Sequence, residues 1–213
     1  MTFYTLQEYR TTGLLPTARH IHVLSEDPYT GHLWMGTGDE NEESSVWVSK
    51  DKGETFELVG SGSQRWRTLS FIFTEQFVFF NTDSPEPQYL TRLDKKQLDS
   101  IPLQTECLKS YPLINSALWC TIKDGNMTIM SSNSEGQLYD DNHRTYGIVI
   151  DKKGIPTVYN LFQEKSQYNK YTKTNVYHQL FPQGKHVNGE YWFYDTYYNC
   201  LRTFRLTKSE KAK

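Results

Sequence analysis

The chain reads as a succession of short apolar runs separated by polar turns, and the succession repeats four times. Runs of this length, bounded by Gly, Pro, Asn and Asp, predict β-strands joined by tight turns. The first unit places strands at residues 21–24, 32–37, 45–49 and 55–59, with Asp27-Pro28-Tyr29-Thr30-Gly31 turning the first pair. The second places them at 68–73, 77–80 and 89–93, with a short apolar segment at 101–103 as its fourth. The third has 117–122, 127–130, 146–150 and 157–162, and Lys123-Asp124-Gly125-Asn126 makes a hairpin turn between its first two. The fourth has only three runs, at 176–181, 191–194 and 200–206. Residues 2–6 offer a strand to complete it.

A unit of roughly forty to fifty residues with four strands is the period of a propeller blade. The expected architecture is all-β: one domain over residues 1–213, with four-stranded antiparallel blades at about 20–60, 67–104, 113–163 and 174–207 and a tail at 208–213. The turns between third and fourth strands echo one another, since Asp51, Asp94 and Asp151 each follow their unit's third strand. The first is the most explicit, Ser49-Lys50-Asp51-Lys52-Gly53-Glu54-Thr55-Phe56. In such a turn a carboxylate accepts backbone N–H groups, a glycine takes positive φ, hydroxyls tie the strands, and an aromatic ring packs beneath.

This S-x-D-x-G-x-T-F string, residues Ser49, Asp51, Gly53, Thr55 and Phe56 with their spacing, resembles the Asp-box or BNR repeat of sialidase-like β-propellers. In that family the motif is a folding device, so it implies an architecture and leaves chemistry open. The third unit departs from it because Gly154 falls one residue late, which predicts a longer turn. Sialidase-like members usually have six or seven blades, and this chain is similar to their C-terminal portion. A closed four-bladed ring and an open partial one are both compatible with the repeats. An open ring exposes two sheet edges and would favour a homo-oligomer through them.

Composition agrees with strands: aromatic residues reach 15%, with 15 Tyr, 11 Phe and 5 Trp. A net charge of −2 argues against nucleic acid as a partner. No apolar stretch is long enough to span a bilayer, the first residues lack a signal-peptide core, and a cytoplasmic location is the expectation. Cys107, Cys120 and Cys200 show no paired or metal spacing and read as reduced, partly buried thiols.

Propeller geometry sorts the loops. The Asp-box turn lies on one face, and the second-to-third loops and between-blade entries lie on the other, where sialidase-like sites sit. Each unit puts an acid at its second-strand exit: Asp39, Asp83, Glu135 and Asp195. The entries supply His20 and His22, then Gln64, Arg65 and Arg67. On a strand, residues two apart point to one side, so His20 and His22 form a pair, as do Arg65 and Arg67. Each acid also has the ordinary reading of a turn cap, and each histidine that of a satisfied core residue. The pair of imidazoles suits either a substrate hydroxyl or a divalent metal; no metal and no cofactor is assigned. Residues 40–43 read as a solvated acidic loop. Trp66, Tyr197 and Tyr198 offer sugar-stacking surface or inter-blade packing.

These residues suggest a carbohydrate-active propeller acting on or binding an anionic surface polysaccharide. Asp39, Asp83 and Glu135 are its candidate catalytic acids. His20, His22, Gln64, Arg65 and Arg67 are its candidate substrate-binding groups. Sialidases hold a carboxylate with three arginines and attack with a Tyr–Glu pair. Arg19, Arg65, Arg67 and Arg144 are arginine candidates, but no such Tyr–Glu pair stands out. The alternative is a non-catalytic module for protein or glycan binding, or a remnant without activity.

Overall fold

The computed structural model describes residues 19–83, 88–113, 121–132, 142–165, 168–169, 174–175, 178–180, 190–195 and 199–205. The proposed closing strand at residues 2–6, Glu135, Cys120, Tyr197 and Tyr198 lie outside them, as does the Asp195 side chain.

The chain is all-β. Sheet one is β1 (His20–Glu26), β2 (Leu33–Gly38), β3 (Ser45–Ser49) and β4 (Glu57–Ser61). Sheet two is β5 (Phe71–Phe73), β6 (Phe77–Asn81), β7 (Tyr89–Asp94) and β8 (Lys109–Pro112). Sheet three is β9 (Thr121–Asp124), β10 (Met127–Ser131), β11 (Asn142–Ile150) and β12 (Pro156–Lys165). A two-stranded hairpin, β13 (Tyr168–Asn169) and β14 (Thr174–Asn175), precedes a three-stranded sheet of β15 (His178–Leu180), β16 (Glu190–Asp195) and β17 (Cys200–Arg205). Within every sheet neighbours in sequence are antiparallel neighbours in space. No helix of the described residues is long and apolar enough to cross a membrane.

The fourth strand of sheet two differs from the sequence expectation. Residues 101–103 do not pair with β7, Leu103 N donating instead to the Val59 carbonyl of β4 at 2.7 Å; β8 lies at Lys109–Pro112 against β7. Two short 3-10 turns, Lys95–Ser100 and Thr105–Cys107, fill the interval and send Leu98, Leu103 and Leu108 into the first core cluster. Apolar side chains there cover a core edge instead of forming a strand. Cys107 and Cys200 are free but exposed, not partly buried.

The sheets stack face to face. One core cluster joins sheet one to sheet two through Trp34, Val46, Val48 and Val59 against Phe71, Val78 and Phe80. The next residues along the same strands, Ile72, Phe77 and Phe79, point the other way and pack on Met130, Tyr146 and Ile148 of sheet three. This is why residues 77–80 are apolar without alternation: a strand buried on both faces needs apolar groups at every position. A third cluster joins Ile122 and Ile129 to Tyr191 and Phe193 of the last sheet. No cluster of described residues joins that sheet back to the first. Trp192, on its other face, is 41% exposed.

An ion pair links sheets one and two away from the core. Asp27 is fully buried and accepts from Tyr29 N and Thr30 Oγ1 of its own turn. Lys95 Nζ, following β7, reaches its Oδ2 at 2.5 Å and also donates to the Thr74 carbonyl at 2.6 Å.

Candidate functional site

The turn at Ser49–Phe56 forms the hydrogen bonds its residue types allow. Asp51 Oδ1 accepts from Ser49 Oγ at 2.8 Å and Thr55 N at 2.9 Å, while Oδ2 accepts from Thr55 Oγ1 at 2.6 Å. Ser49 Oγ in turn accepts Gly53 N at 2.8 Å. Lys52 and Gly53 take the left-handed conformation at φ 62° and 92°. The Thr55 hydroxyl and N–H, then the Ser49 hydroxyl, hold the Asp51 carboxyl down at about 2.

The turn at Asp151 is not longer, as its late glycine predicts. Asp151 Oδ1 accepts from Lys153 N and Ile155 N, both at 2.8 Å, so it spans the same four residues as Asp51 does to Thr55. The left-handed residue has moved to Gly154, at φ 70°. Asp94 instead caps a 3-10 turn, accepting Lys96 N while Gln97 Oε1 accepts Asp94 N.

The opposite ends of the strands gather the polar residues. β1 pairs with β2 through a bulge that leaves His22 without a direct partner. A bulge re-aims the side chain at its extra residue. The His20 and His22 rings lie 4.6 Å apart, on one side of the strand as alternation requires. Both point their Nε2 atoms at Asp39 Oδ1, from 3.7 and 3.5 Å. Burial, then the neighbouring His20, push the His22 imidazole below the usual histidine range, so it is neutral near pH 7.

Asp39 does not cap its own turn. Glu43 Oε2 does, accepting from Asp39 N and Glu40 N, both at 3.3 Å. The acidic stretch read as a solvated loop is therefore built into the site through Glu43, which also meets Arg19 Nε at 3.1 Å. An i, i+4 acid pair after a strand is the signal that would have marked it. The Asp39 carboxylate is left for cations. Arg19 Nη1 lies 3.5 Å from Oδ2, and Arg67 Nη2 lies 3.3 Å from Oδ1. The same Arg67 nitrogen is 3.0 Å from Asp83 Oδ2, and Asp83 N donates to the Arg67 carbonyl at 3.0 Å. Acids from the second-strand exits of two successive sheets thus meet on one guanidinium.

The remaining predicted groups divide. Gln64 Nε2 donates to the Asp39 carbonyl at 2.8 Å and so positions the loop. Arg65 and Arg67 do not share the expected strand geometry, because Gln64–Trp66 is a 3-10 turn. Arg65 goes elsewhere: it donates to Ser110 Oγ and stacks over the Tyr89 ring at 4.3 Å. Trp66 is fully buried against Gly60 and offers no sugar-stacking surface. Arg144, an arginine candidate, is buried in β11. Gly38 carries no sequence signal of a site, yet its bare Cα makes room for Arg67 and His22.

Two clefts lie away from this group. One of about 630 Å³ runs between the first-to-second and third-to-fourth turns, lined by Tyr29, Gln76, Phe77, Asn126, Asp151 and Lys152 among others. A second, of about 300 Å³, is lined by β1, β5 and β9, the first strands of three successive sheets. Neither contains Asp39 or Asp83.

No family model matches the chain, and no curated protein is significantly similar to it.

Proposed function

We propose that this chain is a sialidase-like Asp-box β-propeller, of four blades, that binds carbohydrate on the face formed by Asp39 and Asp83. Three features support the propeller. The sheets stack in sequence order, the first strands of three sheets line one cleft, and the Asp51 turn has the hydrogen bonds of its motif.

The observation that carries the glycan reading is the meeting of Asp39 and Asp83 on Arg67. Carboxylate acceptors alternate there with guanidinium and imidazole donors, which is what adjacent sugar hydroxyls require of a partner. Arg19, on the exposed rim, suits an anionic sugar substituent.

A second reading, glycosidase-like hydrolysis, is favoured by one distance. The two carboxylate oxygens can be no farther apart than the sum of 3.3 and 3.0 Å. At their facing oxygens the acids are thus near the roughly 5–5.5 Å of a retaining pair, and Arg67 Nη2 has to leave the gap for a glycosidic bond to enter it.

Binding of the purified chain to an array of neutral and acidic glycans tests the first reading. Retention of a glycan, weakened about tenfold in Asp83→Asn (~1.4 kcal/mol), supports it. A folded chain that retains no glycan, or an Asp83→Asn variant that binds equally well, overturns it. Release of new reducing ends from the bound glycan decides the second reading separately.

A further inference from the structure

We propose that His20, His22 and Asp39 form a binding site for one divalent transition-metal ion of the zinc type. One ligand atom from each lies within 4.8 Å of the others. The inference stands apart from the glycan reading, and neither requires the other.

The separations are the first argument. Asp39 Oδ1 is 3.7 Å from His20 Nε2 and 3.5 Å from His22 Nε2. Those gaps are too long for good hydrogen bonds. They are close to the edge of a coordination tetrahedron, since bonds of about 2.0–2.1 Å put neighbouring ligands about 3.3–3.4 Å apart. Three lone-pair donors that face one another without bonding directly leave a position for a shared cation.

The second argument is that the His22 imidazole has no other partner among the described residues and that Asp39 is held in place by the groups around it. The His22 side chain is only 5% exposed, and its Nδ1 is buried without a hydrogen-bond partner. Its Nε2 is therefore the atom through which it finds one. The bulge in β1 and the bare Gly38 Cα hold that ring in place. Around Asp39, Glu43 fixes the backbone N–H, Gln64 the carbonyl, and the two arginines the carboxylate. Outer groups that orient the ligands are a usual part of a metal site. When the ion takes Asp39 Oδ1, Arg67 retains Asp83 at 3.0 Å.

Charge is the third. Three carboxylates, Asp39, Asp83 and Glu43, face two guanidiniums, Arg19 and Arg67. The carboxylates outnumber the guanidiniums by one, a surplus of negative charge that favours a cation. Two imidazoles and one carboxylate favour zinc and its first-row neighbours over calcium or magnesium, which prefer all-oxygen sites. His20 is 46% exposed, so the remaining coordination position faces solvent and accepts water or an anionic oxygen from a ligand.

The chelator-treated full chain is titrated with Zn²⁺ in competition with a chromogenic chelator, and separately with Co²⁺. Binding of one equivalent, weakened about 100-fold or more by His20→Ala and by Asp39→Asn but not by His32→Ala, supports the site. That loss is at or beyond the roughly 10–100-fold typical of outer-shell changes. Absence of stoichiometric binding, or a folded His20→Ala chain that binds as the parent does, overturns it. The Co²⁺ spectrum of the parent checks the geometry without any substitution: intense bands of a four-coordinate site support the proposal, and the weak bands of the aqua ion overturn it.

Discussion

Gly38 and Arg67 are packed so closely that a Cβ on Gly38 would fall 2.8 Å from Arg67 Cγ, and 3.0 Å from His22 Cε1. The end of β2 is thus a floor on which the polar group rests. Gly38 is not in the left-handed region, so alanine there would ordinarily stabilise by about 0.4–1 kcal/mol through the unfolded chain. Here the added methyl meets atoms near the base of Arg67, which cannot swing clear as a side-chain tip can. Gly38→Ala is expected to destabilise by about 1–3 kcal/mol, read as a lower urea midpoint at unchanged slope. A neutral or stabilising effect would mean that Arg67 is not fixed against this strand.

Lys95 is the only counter-charge of the buried Asp27 among the described residues, at 2.5 Å. Lys95→Met keeps the length and apolar stem but leaves a carboxylate without its cation. Breaking such a pair from one side costs about 3–5 kcal/mol. Two hydrogen bonds from its own turn remain on Asp27, so the lower end of that range is expected. Asp27→Asn combined with Lys95→Met recovers part of the loss. Thermal unfolding of Lys95→Met, Asp27→Asn and the double variant measures this, and additive losses would show that the two groups do not interact.

The Asp51 carboxyl titrates at about 2 against 3.8 when free, so the turn favours its charged form. Its stabilising contribution is complete above 3.8 and disappears as pH falls through about 2. Carboxyl carbon shifts followed by NMR should place its inflection near the lower value. Asp51→Asn should flatten the loss of stability over that acid interval. An inflection at the free value would show that Thr55 and Ser49 do not hold the carboxylate in solution.

What was legible in the sequence follows from how local its cause is. The turn at Asp51 is legible because its hydrogen bonds lie within seven residues, Ser49 to Thr55. Sheet two's interior could be read because residues 77–80 are buried on both faces. β8 could not: Lys-Ser-Tyr-Pro is an edge strand held by backbone pairing to β7, so its side chains carry no apolar pattern. The more apolar residues 101–103 drew the assignment instead. The nearness of Asp39 and Asp83 follows from their matching places at second-strand exits, and His20, His22 and Arg67 reach them from the segments that enter the two sheets. Arg65 points away from Arg67 because strand alternation does not hold across a 3-10 turn. Glu43 was missed because capping by a side chain four residues on leaves no apolar trace.

The bridge at Arg67 makes a prediction about sign. Its Nη2 holds Asp83 at 3.0 Å and Asp39 at 3.3 Å, with the Arg67 and Asp83 side chains mostly buried. Arg67→Gln removes the shared cation and leaves two carboxylates facing each other with Arg19 beside Asp39 but no guanidinium between them. The single variant is expected to lose about 2 kcal/mol, within the range for hydrogen bonds to charged groups. Asp83→Asn alone loses its own charged contact but leaves Arg67 with Asp39, so its cost should be smaller. Placed in the Arg67→Gln background, Asp83→Asn removes a repulsion and should stabilise. A double-mutant cycle by urea unfolding therefore has a coupling of about 1–2 kcal/mol, with the second substitution changing sign between backgrounds. If Asp83→Asn has the same effect with and without Arg67, the two acids do not share that guanidinium in solution, and the face proposed for glycan binding lacks the junction on which it was argued.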